Sequence, residues 1–124
     1  MTVTHGAATR NNYADTALAN IDADVGPGNL VFRAANDDEV ATLAFSDPAG
    51  NVAGPVLTFS GISNDLAATG GNIAKATIES NGGTIVLTAD HVAAGVGGDI
   101  NISSLNIQPG DIVSCSDLTY IAPI

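Results

Sequence analysis

Between Thr9 and Asp22 the apolar positions fall at helical spacing. Ala14, Leu18 and Ile21 share one side, with Tyr13 and Ala17 beside them. Thr9 is placed to cap the first turn, although no Glu or Gln stands at the capping-box position. Gly26-Pro27-Gly28 stops such a helix, because Pro fixes φ and the glycines free the chain to turn. The apolar side is narrow, which predicts a helix lying on the edge or end of a sheet rather than in a bundle.

After Gly28 the period changes to two. Leu30 and Phe32 alternate with Val31 and Arg33, Leu43 and Phe45 lie within residues 40–46, and Leu57 and Phe59 follow Pro55. Residues 73–79 and 84–88 flank Ser80-Asn81-Gly82-Gly83, and Asn-Gly between two β-rich runs marks a hairpin. The last third predicts strands over 99–103, 105–107 and 111–121, with Gln108-Pro109-Gly110-Asp111 as the turn before the last. About seven or eight short strands with closely spaced turn signals point to a mainly β fold. The expected form is an antiparallel β-sandwich, with a jelly-roll as one version, and one N-terminal helix on its edge. The connections are too short for helical crossovers, so parallel βαβ units are excluded. Residues 1–8 form an N-terminal arm and 9–124 a single domain that includes the helix. Three Gly-rich stretches, 47–55, 63–72 and 89–98, are expected as loops, either contact-bearing or simply flexible links. The expected inward positions are Leu30, Phe32, Leu43, Phe45, Leu57, Phe59, Ile85, Leu87, Ile100, Ile102 and Tyr120.

Composition sharpens this picture. Hydrophobic residues make up 45% of the 124, but aromatics only 4% and there is no Trp. The core must therefore be built from small aliphatic side chains that each bury little area. That favours self-association or docking, where further apolar area is covered. Three basic residues, Arg10, Arg33 and Lys75, face thirteen acidic ones, for a net charge of -10. Such a chain has no electrostatic footprint for nucleic acid or an anionic membrane. The charge serves solubility and self-repulsion, or else meets a basic partner or bound cations. No signal peptide and no apolar run of membrane-spanning length stands in the sequence, so synthesis in a cytoplasm without cleaved export is expected.

No catalytic pattern emerges. Asp22 with Asp24, and Asp37-Asp38-Glu39, group oxygen ligands in turns, yet the first pair lacks the rest of an EF-hand loop and the second reads as a solvated turn. The acids are mainly turn Asp, which local hydrogen bonding explains better than a glycosidase pair. Asp90-His91 are adjacent, but no Gly-x-Ser-x-Gly accompanies His5 or His91. Gly95-Val96-Gly97-Gly98 lacks the following Lys of a phosphate loop. Asn101-Ile102-Ser103 matches a glycosylation acceptor, which carries no meaning without a secretory signal. Cys115 is a lone cysteine in an alternating run and reads as a packed thiol. No catalytic, cofactor-binding or metal-ligating residue is therefore assigned, and no cofactor is expected.

Certain segments do resemble a family. They are Thr9-Arg10-Asn11-Asn12-Tyr13-Ala14-Asp15 running on through Ile21-Asp22 to Gly26-Pro27-Gly28-Asn29-Leu30, then Leu43-Ala44-Phe45-Ser46-Asp47-Pro48-Ala49-Gly50. Gly98-Asp99-Ile100 through Gly110-Asp111 to Leu118-Thr119-Tyr120 completes the set. In that order they resemble small virion structural proteins of tailed bacteriophages and prophages. The chain departs from that pattern after Leu30-Val31-Phe32-Arg33, where Ala34-Ala35-Asn36-Asp37 stands in place of a Tyr-Gly or Tyr-Asp turn. The resemblance implies a capsid decoration or cement protein, a homo-oligomer bound in many copies to the major capsid protein lattice. It would be located in the virion and made in the host cytoplasm. A neck or tail component is the nearer alternative, and a glycan- or ligand-binding β-module the more distant one. For lattice contacts, Val3, Val52, Leu66 and Val96 are the expected apolar side chains.

Overall fold

The computed structural model describes residues 3–95, 97–98, 100–115 and 118–122. One helix, α1 (Ala7–Ile21), leads into strands that account for most of the regular structure. The largest sheet joins β1 (Asn29–Arg33), β2 (Glu39–Ala44), β6 (Lys75–Glu79) and β7 (Ile85–Ala89) in the order β2-β1-β6-β7, antiparallel throughout. A second sheet joins β3 (Gly50–Ala53), β4 (Val56–Phe59) and β11 (Thr119–Ile121), with β4 central and both pairings antiparallel. Two short pairs complete the fold: β5 (Gly71–Asn72) with β10 (Asn106–Ile107), and β8 (Val92–Ala94) with β9 (Ile100–Ile102). The chain is thus mainly β with one helix, and its antiparallel sheets are compatible with the expected sandwich.

One core draws on both larger sheets. Leu30 and Phe32 of β1, Leu43 of β2 and Ile78 of β6 cluster with Leu57 and Phe59 of β4, and with Ala17 and Ile21 of α1. Phe45, just beyond β2, stacks on Phe59 with ring centroids 4.7 Å apart. Of the expected inward positions, Leu30, Phe32, Leu43, Phe45, Leu57, Phe59, Ile100 and Ile102 are buried, and Leu87 and Tyr120 are half-buried against the cluster. Ile85 is the exception, 56% exposed. The register of β6 and β7 shifts between Ile78 and Glu79, so the alternation that carries Leu87 to the core does not carry Ile85 there.

The helix begins earlier than expected. Gly6 is the N-cap, with Arg10 N–H donating to the Gly6 carbonyl (3.0 Å), so Ala7 and Ala8 belong to the helix and Thr9 lies inside it. Ala14, Ala17 and Ile21 are buried, Leu18 is half-buried, and Tyr13 faces outward with its ring edge against His5.

Glycine misled the reading of the loops. Residues 47–55 contain β3, 63–72 contain β5 and 89–98 contain β8. At Gly50 a Cβ would lie 2.1 Å from the Thr58 carbonyl oxygen. The glycine permits close strand approach there rather than flexibility. The β8–β9 pair is parallel, joined by a link whose Gly95 and Gly97 take positive φ. This parallel pairing without a helix was not expected. Of the predicted final strand over 111–121, the described residues show an isolated bridge at Val113 and β11, while 116–117 lie outside the described residues. The turns at 80–83 and 108–111 stand as expected, the second closed by Asp111 N–H on the Gln108 carbonyl (3.0 Å).

The two edges of the large sheet differ. Along β2, Gly70 N–H donates to the Val40 carbonyl (3.1 Å), Thr42 N–H to Asp65 Oδ2 (2.9 Å) and Ser63 N–H to the Ala44 carbonyl (2.8 Å). The segment 63–70 therefore seals that edge at alternate residues. At β7, among the described residues, the ladder to β6 is the strand's whole backbone pairing.

Candidate functional site

The most developed polar cluster lies across β1 and β6. Arg33 Nη2 meets Glu79 Oε2 at 2.7 Å, Arg33 Nε donates to Thr77 Oγ1 at 3.1 Å, and the Thr77 hydroxyl bonds Glu79. Arg33 Nη1 reaches the Asp37 carbonyl at 3.0 Å. The Asp37 carboxylate pairs with Lys75, and hydrogen bonding from Lys75, with its charge, holds that carboxyl below its ordinary range. Thr77 and Glu79 are buried. One guanidinium thus ties two strands and the 34–38 turn, where Asp37 takes a positive φ of 74°. No buried side-chain polar atom among the described residues, those of this cluster included, lacks a hydrogen-bond partner. The arrangement ties β1, β6 and the 34–38 turn in register.

The acidic groups singled out from the sequence do not converge. Asp38 exchanges hydrogen bonds with Asn36, while Glu39 accepts from Thr42 and Thr69 at 2.5 Å each. Asp22 accepts from Ala49 N–H (3.1 Å), and desolvation is the main cause that raises its pKa. Asp24 accepts from Gly82 N–H (2.8 Å), tying the chain after α1 to the β6–β7 turn, where Asn81 also donates to the Pro27 carbonyl (3.0 Å). Among the described residues no three of His, Cys, Asp and Glu gather as metal ligands. Asp90 and His91 are exposed in the link between β7 and β8, and Cys115 is buried.

Asp24 gives a pH prediction. The Ser80 hydroxyl, then the Gly82 N–H, lower its pKa from 3.8. A lowered folded-state value stabilises the protein fully above 3.8 and the contribution is lost as pH falls through the lowered value. Asp22, raised, has the opposite sign: its cost is present above its ordinary pKa and eases as pH falls. Thermal melts of wild type and Asp24→Asn should therefore converge between about pH 5 and pH 2, with the wild type losing more. Parallel curves would show that Asp24 contributes nothing.

The surface feature that the sequence did not disclose is an apolar pair. Asp65 and Val113 form an antiparallel bridge with both N–H···O bonds made, at 2.9 and 2.8 Å. Their neighbours Leu66 and Ile112 are thereby set opposite one another, 70% and 66% exposed. Asp65 and Asp111 flank them. Asp65 is itself fixed by Thr42 N–H and Ala67 N–H, and Asp111 by Gln108 N–H. Each residue alone looks like an ordinary loop position, because the two segments meet only in the fold, through the bridge and through the Ala68 N–H to Asp111 carbonyl (3.0 Å) and Gly110 N–H to Ala68 carbonyl (2.8 Å) bonds beside it. No family model, curated protein or solved structure matches the chain.

Proposed function

We propose that this chain is a non-enzymatic virion structural protein that decorates the outside of a tailed-phage capsid in many copies. The observation that supports the reading best is the Leu66–Ile112 pair, two large aliphatic side chains held in water by a backbone-locked bridge and flanked by carboxylates. Burying each against a partner contributes about 1.5–3 kcal/mol. Exposed ion pairs to a basic shell surface add only about 0–1 kcal/mol each. Apolar contact therefore carries the affinity, and repetition over symmetric sites multiplies it. Of the other side chains expected to make contact, Val3 is exposed and Val52 is half-buried against the core, which removes it from that role. Val96 lies outside the described residues.

The test is quantitative mass spectrometry of purified particles carrying wild type or the Leu66→Asp/Ile112→Asp variant. The wild type should be present in many copies. The variant should be reduced at least about tenfold, as loss of more than 1.4 kcal/mol requires, with the free protein's melting temperature unchanged. Undiminished variant binding, or absence of the wild type from particles, would sink the proposal. A handful of copies per particle would favour a neck or tail position.

A further inference from the structure

We infer that β7 is an assembly edge, to which a second copy of this chain adds its own β7 antiparallel across a two-fold axis. The large sheet would then continue through the axis into its counterpart. This goes beyond the decoration reading and holds for the free protein whether or not that reading stands.

The argument starts from the unequal edges of the sheet. Hydrogen bonds from 63–70 close β2 at three alternate residues, whereas β7 is bonded only to β6 among the described residues. α1 packs against β3, β4 and β7 but takes no part in the β7 ladder. A row of unpaired N–H and C=O groups is a template for another strand unless Pro, Lys or an inward charge blocks it. Residues 80–89, Ser-Asn-Gly-Gly-Thr-Ile-Val-Leu-Thr-Ala, contain no Pro and no charged residue.

The side chains point the same way. Leu87 and Ala89 are only half-buried, while Ile78 and Ala76 opposite them are buried. Beside this edge a groove of about 170 Å³ opens, lined by Leu87, Ala89, Ile100, Leu118 and Tyr120. Cavities of about 150 Å³ hold a benzene-sized group, so an aliphatic side chain fits. A strand laid against β7 directs alternate side chains toward that groove. In the self-pairing centred on Leu87, Leu87 of the second copy does so.

Charge selects the second copy over a basic peptide. At net charge -10, two copies repel over most approaches. The strip 80–89 carries no charged side chain, so copies paired about Leu87 meet there with Asp90 opposite Thr84 rather than another carboxylate, and a cationic partner finds carboxylates only at its ends, at Asp24 and Asp90. A two-fold contact also satisfies both edges at once and closes, which prevents open-ended growth.

Sedimentation equilibrium of the full chain from about 10 μM to about 1 mM should show a reversible monomer–dimer equilibrium. Amide exchange over 85–89 should slow as concentration rises. Ile85→Asp and Thr88→Asp, both at exposed positions, should each weaken dimerisation at least about tenfold with unchanged circular dichroism. A wild type that stays monomeric throughout would overturn the inference. So would a dimer that forms without slower exchange at 85–89, or one that survives both substitutions.

Discussion

Phe45→Ala should lower the unfolding free energy by about 3–5 kcal/mol, the usual loss for a buried phenylalanine truncated to alanine. Phe45 is 3% exposed and one of only three phenylalanines in the chain. It leaves the end of β2, where its N–H donates to the Gly28 carbonyl (2.9 Å), and stacks on Phe59 of β4 at 4.7 Å. Its ring therefore links the two larger sheets. The core it belongs to is rich in alanine and other small aliphatic side chains, which offer little volume to refill the space it would leave. A domain of this kind has about 5–15 kcal/mol in total, so the loss would be visible as a large shift of the urea midpoint. A change within about 0.5 kcal/mol would mean that the stacked pair adds little to the core.

The second large effect concerns Arg33. Arg33→Leu strands the Glu79 carboxylate, whose side chain is 8% exposed, with only the Thr77 hydroxyl beside it. Breaking a buried pair from one side costs about 3–5 kcal/mol, because an uncompensated charge remains. Glu79→Leu should cost less, since the Arg33 side chain is 23% exposed and keeps its bonds to Thr77 and the Asp37 carbonyl. The Arg33→Leu/Glu79→Leu double variant should recover most of the loss, as apolar replacement of a whole buried pair is often neutral. Chemical denaturation of the four proteins closes the cycle. Simple additivity of the two single changes would show that the pair is not coupled.

Where one local rule governs, the sequence was a good guide. The α1 segment, the 80–83 hairpin and most inward positions followed from periodicity and turn chemistry. The failures share a cause, contact between residues distant in the chain. Gly50 reads as a loop residue until β4 is placed beside it, when the Thr58 carbonyl oxygen, 2.1 Å from where a Cβ would sit, explains the missing side chain. Ile85 reads as core until the irregularity opposite Glu79 is seen. Arg33 and Glu79 each stood in a period-two run as the charged member, and their opposite signs were a usable signal that the strands are neighbours. The Leu66–Ile112 pair had no such signal, since neither segment is regular structure and they are joined by an isolated bridge and the backbone bonds of Ala68.

The order of strands also constrains how the chain acquires its shape. β4 is the middle of its sheet, yet one of its two partners, β11, is among the last residues described, with Leu57 opposite Tyr120. β1 likewise waits for β6, with Leu30 opposite Ile78. Loop-closure entropy must be overcome before such distant pairings return any stabilisation, so the fold belongs among slow-forming β topologies. On the ribosome, α1 and the β1–β2 hairpin emerge before β4, and β4 keeps one bare side until Thr119–Ile121 have been made. The interval before β11 arrives is when a neighbouring nascent chain can take its place, so a chaperone that covers the bare side of β4 meanwhile favours the correct strand.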